Sequence, residues 1–299
     1  MTKNHEFLYV AISLDIDPDA NSAVEGRHDA LSSPVEHGKI RVEACKRGLQ
    51  RILELLDIYD IDATLFYEAR TAQMLVADGM DLPALSERHE VSCHSLKHED
   101  YLGKVSGVPM EEESIEETIT KAKDILENIF KRDMKGFRAP YTRVNQAVVR
   151  VIERLGFRYD SSETVTMGAE WKGSPFSLEK FDSDLLELAL PSFQDSKGQK
   201  MSSYLWAIFE GRRGSGEYID AVLWARDVAQ SGLFVFSIHP WHLYVNCKGN
   251  PFNREQVQKN RDNLEHILSQ LKQMRGIQML RQDTYMENWV RLHKAGTNK

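Results

Sequence analysis

The sequence reads HEVSCHSLKHED at residues 89–100, where a short apolar run leads into His94 and His98. On a single turn, a spacing of four residues points both imidazoles in the same direction, as a divalent metal ion requires. A hydrolytic metal site usually takes three protein ligands and leaves a position for water. An isolated pair of this kind is more often found on a surface. The stretch therefore predicts half of a metal site, and the rest of the chain must supply a carboxylate.

The composition is that of an ordinary globular protein. Its 299 residues are 41% hydrophobic and 28% charged, enough for one domain of barrel size or two small ones. A net charge of −7 argues against nucleic acid or an anionic membrane as the main partner. The first apolar run is too short for a secretion signal, and no run approaches the roughly 20 apolar residues of a transmembrane helix. We therefore predict a cytoplasmic protein.

The cysteines agree with that compartment. Cys45, Cys93 and Cys247 are odd in number and widely spaced, so no disulfide framework is expected.

Apolar runs of strand length alternate with segments of helical periodicity along the chain. The clearest strands are predicted at 7–13, 63–67, 90–93 and 232–239, and the clearest helices at 39–59, 110–130 and 253–274. Asn145 is predicted to cap a further helix. This alternation predicts a parallel sheet covered by helices, and at this length a barrel is favoured over an open sheet. The polar stretches 161–216 and 18–38 are interpreted as excursions that shape a pocket or a subunit contact.

Polar side chains fall at the carboxyl ends of the predicted strands. The six positions are Asp15, Asp17, His94, His98, Arg138 and His239. In a β/α barrel the loops at these ends converge on one mouth, where the sites of such barrels are built. The sequence therefore predicts one shared site.

These segments resemble the polysaccharide deacetylase family, also known as the NodB homology domain or carbohydrate esterase family 4. The family's H-[ST]-x-x-H motif is met by residues 94–98, its R-x-P-Y motif by residues 138–141, and its late apolar strand ending in histidine by residues 234–239. The resemblance implies a distorted (β/α)7-type barrel in a single domain, with its core at about residues 7–289. One departure lies in the first motif, where Ile16 separates Asp15 from Asp17 in a D-x-D pattern.

The resemblance also implies roles for these residues. Asp17, His94 and His98 would bind a divalent metal, with zinc preferred and cobalt, nickel or manganese as alternatives. Asp15 would be the catalytic base, although the roles of the two aspartates could be exchanged. Arg138 would hold Asp15, and His239 would protonate the leaving amine.

Two aromatic residues are candidates for binding the substrate. The rings of Tyr141 and Trp241 could stack on the apolar face of a sugar, or they could belong to the core. The backbone N–H of Tyr141 is also a candidate donor to the oxyanion.

The implied function is a metal-dependent hydrolase that removes an N-acetyl group from an amino sugar or sugar-containing precursor. Its substrate would be a small molecule or an oligosaccharide, and a homo-oligomer is left open. Alternatives of the same fold are an allantoinase-like hydrolase of cyclic imides or ureides and a deformylase. An alternative of another class is a catalytically silent protein that binds glycans or metabolites.

Overall fold

The structure is a computed structural model that describes residues 7–18, 36–168, 171, 173, 175–195, 197–229 and 232–296. Its strands are β1 (Leu8–Ile16), β2 (Thr64–Tyr67), β3 (Glu90–Cys93), β4 (Gly136–Phe137), β5 (Tyr159–Asp160), β6 (Thr164–Thr166), β7 (Phe176–Ser177), β8 (Leu186–Glu187), β9 (Leu190–Gln194), β10 (Lys200–Ser202), β11 (Leu233–Ile238) and β12 (Ile277–Met279). Its α-helices are α1 (Glu36–Ile58), α2 (Ala69–Ala77), α3 (Leu82–Leu85), α4 (Glu112–Phe130), α5 (Gln146–Arg154), α6 (Trp206–Phe209), α7 (Ser215–Val228), α8 (Arg254–Gln273) and α9 (Gln282–Gly296).

The main sheet has nine strands, paired in the order β11-β1-β2-β3-β4-β5-β8-β7, with β12 beside the start of β1. Each pair is parallel except β7 with β8. Helices intervene between most of these strands, as the alternating pattern predicts. The expected distorted (β/α)7-type barrel is confirmed. The bounds of its core, residues 7–289, stay a prediction.

The register of β1 brings the carboxyl ends of its neighbours to one level. Leu14 pairs with Ile238 of β11, and Ile16 pairs with Tyr67 of β2. Tyr67 in turn pairs with Cys93 of β3. The residues that follow each of these strands therefore meet at one mouth, as predicted.

The turn after β11 packs against α1. A Cβ atom on Gly48 would lie 1.9 Å from the carbonyl oxygen of Pro240, so this helix position requires glycine. The close approach holds the segment after His239 in place.

The excursion at 161–216 contains a second sheet that the sequence did not predict. Strands β10, β9 and β6 form a separate three-stranded sheet, followed by the short helix α6. The other predicted excursion, at 18–38, lies mostly outside the described residues. Among those that are described, no helix is long and apolar enough to cross a membrane.

Candidate metal and active site

Three buried side chains form a candidate metal site at the mouth of the barrel. Asp17, His94 and His98 each offer one ligand atom, and these atoms lie within 4.8 Å of one another. Nε2 of His94 is 3.5 Å from Oδ2 of Asp17. Two imidazole nitrogens and one carboxylate oxygen form a donor set that suits zinc and related divalent ions. The residues that the sequence singled out as ligands therefore fit such an ion.

A backbone carbonyl fixes the orientation of His94. Its Nδ1 lies 2.8 Å from the carbonyl oxygen of Arg138. Because a carbonyl only accepts, Nδ1 carries the proton and the Nε2 lone pair faces Asp17, the arrangement usual for a metal-binding histidine. Burial lowers the pKa of His94, and burial together with His94 lowers the pKa of His98. Both rings are therefore neutral at pH 7, the form that binds metal.

The segment that carries both histidines is a loop and not the single turn assumed from their spacing. Ser95 and His98 have positive φ angles of 68° and 60°. The Ser95 hydroxyl accepts a hydrogen bond from the His98 N–H at 3.0 Å, and the Glu99 carboxylate accepts from Leu96 and Lys97. These bonds hold the strained backbone that brings the two rings together.

Asp15 and Arg138 form a fully buried ion pair. Arg138 Nη1 is 2.6 Å from Asp15 Oδ1 and also contacts the hydroxyls of Ser13 and Ser237, while Nε and Nη2 donate to the carbonyl and hydroxyl oxygens of Ser161. Burial by itself would raise the pKa of Asp15. The charge of Arg138 opposes burial, and with its other polar neighbours the net effect lowers the pKa to about 2.

Tyr204 occupies the second oxygen of Asp15. Its hydroxyl donates a hydrogen bond to Oδ2. Its ring stacks on His239 with centroids 5.3 Å apart. Tyr204 comes from the stretch that the sequence left as an excursion, and a bridge to Ser237 of β11 brings it to the mouth.

His239 lies on the other side of the candidate metal site. Its Nε2 is 3.8 Å from Asp17 Oδ2, and its Nδ1 accepts a hydrogen bond from Nε1 of Trp206 at 3.2 Å. Burial lowers the pKa of His239 to about 3. The ring is therefore neutral at pH 7, with its proton on Nε2.

A cavity of about 540 Å³ opens onto these groups. Its lining includes Asp15, His94, His98, Tyr141 and His239, all predicted from the sequence. It also includes residues that the sequence did not single out: Thr142, Lys200, Met201, Ser202, Tyr204, Trp206, Ala207, Arg213 and Tyr218. A larger cavity of about 1150 Å³ beside α9 shares none of these residues. The smaller cavity is thus the one that fits the chemistry.

The two aromatic candidates have different surroundings. Tyr141 lines the cavity, with its ring 4.7 Å from that of His98 and a positive φ of 58°. Trp241 is fully buried, with the guanidinium of Arg41 over its ring at 4.6 Å. The hypothesis that Trp241 stacks on substrate is therefore wrong, because its ring has no exposed surface. Trp241 belongs to the core, which was the alternative. Trp206 offers an indole to the cavity instead.

Comparisons with known proteins agree with this architecture. Residues 39–159 match the family model described as polysaccharide deacetylase. A comparison with the curated proteins returned no significant match.

Several solved structures share the fold. A polysaccharide deacetylase homologue from Mycobacterium smegmatis superposes with a TM-score of 0.69 at 17% identity, over 98% of this chain and 93% of that chain. Puue allantoinase superposes with a TM-score of 0.67 at 16% identity, over 97% of this chain and 93% of that chain. A probable polysaccharide deacetylase from Pseudomonas aeruginosa PAO1 gives 0.65 at 16% identity, over the same shares. The family model covers residues 39–159, less than half of the chain, and the solved structures show that the whole chain shares the fold of polysaccharide deacetylases.

Proposed function

We propose that this protein is a metal-dependent hydrolase that removes an N-acetyl group from an amino sugar or a sugar-containing precursor and releases acetate. The observation that carries the proposal is the cluster of Asp17, His94 and His98 at the same mouth as the Asp15–Arg138 pair. The family match supports hydrolysis of an amide. That the acyl group is acetyl and that the amine belongs to a sugar goes beyond the family match and is our proposal.

Asp17, His94 and His98 would hold the metal ion, with zinc as the first candidate and cobalt, nickel or manganese as the others. When bound, such an ion polarises the amide carbonyl and makes a water molecule more acidic. The two oxygens of Asp15 are engaged by Arg138 and Tyr204, whereas Asp17 lies beside the ligand nitrogen of His94. This difference supports Asp17 as the ligand, which leaves the role of base to Asp15.

The remaining roles follow from position. Asp15 would take the proton of the attacking water, and Arg138 would keep Asp15 ionised and oriented. His239 would give a proton from Nε2 to the leaving nitrogen, because an amide bond breaks readily only when its nitrogen is protonated. To act in this way the ring must first take up a second proton, because neutral imidazole is too weak an acid. The backbone N–H of Tyr141 would donate to the developing oxyanion.

The cavity also supports a sugar-sized ligand. Tyr141, Tyr204 and Trp206 line it, and aromatic rings stack on the apolar face of a pyranose. Its volume of about 540 Å³ is within the usual range for small-molecule sites. None of the three cysteines forms a disulfide bond in the described part of the chain, which supports the proposed cytoplasmic location.

The first experiment measures metal content and acetate release together. Wild type, His94→Ala and the exposed control His266→Ala are purified without added metal and without a histidine tag. We expect about one divalent ion per chain in the wild type and control, and its loss in His94→Ala. Acetate release from N-acetyl amino sugars should be lost in His94→Ala.

Other results would point elsewhere. Turnover of allantoin or another cyclic ureide without acetate release would favour the allantoinase-like alternative. A formamido sugar as the substrate would favour the deformylase. A wild-type protein that takes up no metal at micromolar zinc would overturn the proposal and favour a silent binding protein.

A further inference from the structure

The charges around the cavity are unevenly balanced. Asp15 is the one carboxylate in its described lining, and Arg138 already neutralises it at 2.6 Å. Arg213, a lining cation, lies 2.6 Å from both Asp195 and Glu217. The charges of Asp15 and Arg213 are thus both engaged within the protein, and the second carboxylate at Arg213 leaves that group with one excess negative charge.

Lys200 is different. It lies on β10, is exposed, and lines the cavity. Across the ranges that the structure describes, no carboxylate lies within ion-pair distance of its ammonium group. A lysine without an acidic neighbour keeps its charge available to a ligand.

A second cation lies beside the same opening. The guanidinium of Arg143 lies 5.8 Å from the centre of the Tyr141 ring, and Tyr141 lines the cavity. Arg143 is exposed, and it too has no carboxylate in ion-pair range among the described residues. Two cations available to a ligand therefore lie at or beside the opening.

This arrangement matters because the whole chain has a net charge of −7. Such a protein repels anions over most of its surface, so a local positive opening selects for a negatively charged ligand. A neutral glycan chain would gain little from either cation.

We infer that the substrate is a small amide that carries an anionic group, a carboxylate or a phosphate, which Lys200 contacts while the amide points toward His94 and His98. The inference rests on the proposed function, and it makes Lys200 a specificity-determining residue. Arg143 adds to the field at the opening without contacting the reacting atoms.

The test compares matched neutral and anionic substrates. N-acetylglucosamine is paired with its 6-phosphate and with N-acetylmuramic acid, so that phosphate and carboxylate are tested separately. We expect kcat/KM to be roughly tenfold to hundredfold higher for at least one anionic member, the scale of a hydrogen bond to a charged group. Lys200→Ala should lower kcat/KM for the anionic substrate much more than for its neutral partner, and so remove most of this preference. Lys248→Ala removes an exposed lysine that does not line the cavity, and should change neither.

A binding measurement gives a readout that does not depend on turnover. Calorimetry compares glucosamine 6-phosphate and muramic acid with glucosamine, on protein with and without metal. The inference is supported if the amine that carries a phosphate or a carboxylate binds more tightly than glucosamine, and if Lys200→Ala and added salt both weaken that binding.

The two hypotheses can fail separately. Equal kcat/KM within both pairs, or an equal loss for neutral and anionic substrates in Lys200→Ala, would overturn the anionic substrate and leave the hydrolase standing. No turnover of any amide by metal-loaded protein would overturn the hydrolase, and calorimetry would still decide whether Lys200 binds anions.

Discussion

Nε1 of Trp206 donates a hydrogen bond to Nδ1 of His239, with 3.2 Å between the two nitrogens. An indole N–H can only donate, so Nδ1 must accept and the imidazole proton must be on Nε2. That nitrogen lies 3.8 Å from Oδ2 of Asp17. Trp206 is therefore a positioning residue, since it determines which nitrogen of His239 presents a proton beside the candidate metal site.

Replacing this donor tests the arrangement. In Trp206→Phe the ring remains but the N–H is lost, so both tautomers of His239 become accessible. We expect kcat to fall by roughly tenfold to hundredfold, as when the outer partner of a functional imidazole is removed, with a smaller change in KM. ¹⁵N NMR of the histidine side chains should show a mixture of tautomers at His239. Unchanged imidazole signals with unchanged kcat would contradict the assignment.

The buried ion pair predicts an asymmetry in stability. Arg138→Met leaves the Asp15 carboxylate without its cation, and we expect the free energy of unfolding to fall by about 3–5 kcal/mol. Asp15→Asn should cost less, because Arg138 keeps its bonds to Ser13, Ser161 and Ser237. Urea denaturation of the two variants measures both effects. A larger loss in Asp15→Asn than in Arg138→Met would disprove this account.

Ser162 anchors the turn that carries Tyr141. Its hydroxyl accepts a hydrogen bond from the Ala139 N–H at 2.8 Å and donates to Asp160 Oδ1 at 2.6 Å. The following Tyr141 and Thr142 have positive φ angles of 58° and 52°, so this backbone needs an anchor.

We expect Ser162→Ala to leave the buried Ala139 N–H unsatisfied, at a cost of about 1–3 kcal/mol in the free energy of unfolding. If the Tyr141 N–H binds the oxyanion, kcat should fall more than KM rises. Ser162→Thr keeps the hydroxyl and should restore kcat. If Ser162→Thr restores stability but not kcat, the hydrogen bond to Ala139 stabilises the fold without supporting catalysis.

The sequence predicted best where local pattern alone decides the structure. The strand at 90–93 has the predicted bounds, and Asn145 caps α5 through a bond from the Val148 N–H at 3.0 Å. The apolar run of β1 fixed the level of Asp15 and Asp17, because a strand buried on both faces has few registers available.

The site residues that the sequence did not predict correctly are placed by contacts between distant parts of the chain. Tyr204 and Trp206 reach the mouth through the bridge between Tyr204 and Ser237, a pairing that no local pattern encodes. Trp241 comes just after the end of β11, where a residue of the mouth is expected. Its ring is nevertheless buried, because the turn that carries it packs closely on α1 where Gly48 approaches Pro240.

Glu68 follows β2 at the same mouth, and it provides a test of stability against pH. Its Oε2 accepts a hydrogen bond from Thr71 at 2.5 Å, while Oε1 is buried without a hydrogen-bond partner among the described residues. Burial raises the pKa of Glu68 to about 8 from an ordinary value of 4.5. The folded protein therefore binds this proton between pH 4.5 and 8, whereas the unfolded chain releases it.

The sign follows from that difference. A carboxyl with a raised pKa in the folded state destabilises the fold increasingly as pH rises through this window, by up to about 1.4 kcal/mol per pH unit. Glu68→Gln mimics the protonated form and removes the dependence. We expect urea midpoints of metal-free wild type and Glu68→Gln to be similar near pH 5, and the variant to become the more stable of the two by pH 8. A difference that stays constant between these pH values would mean that Glu68 is ionised in the folded protein, because only a proton held by the fold gives a slope.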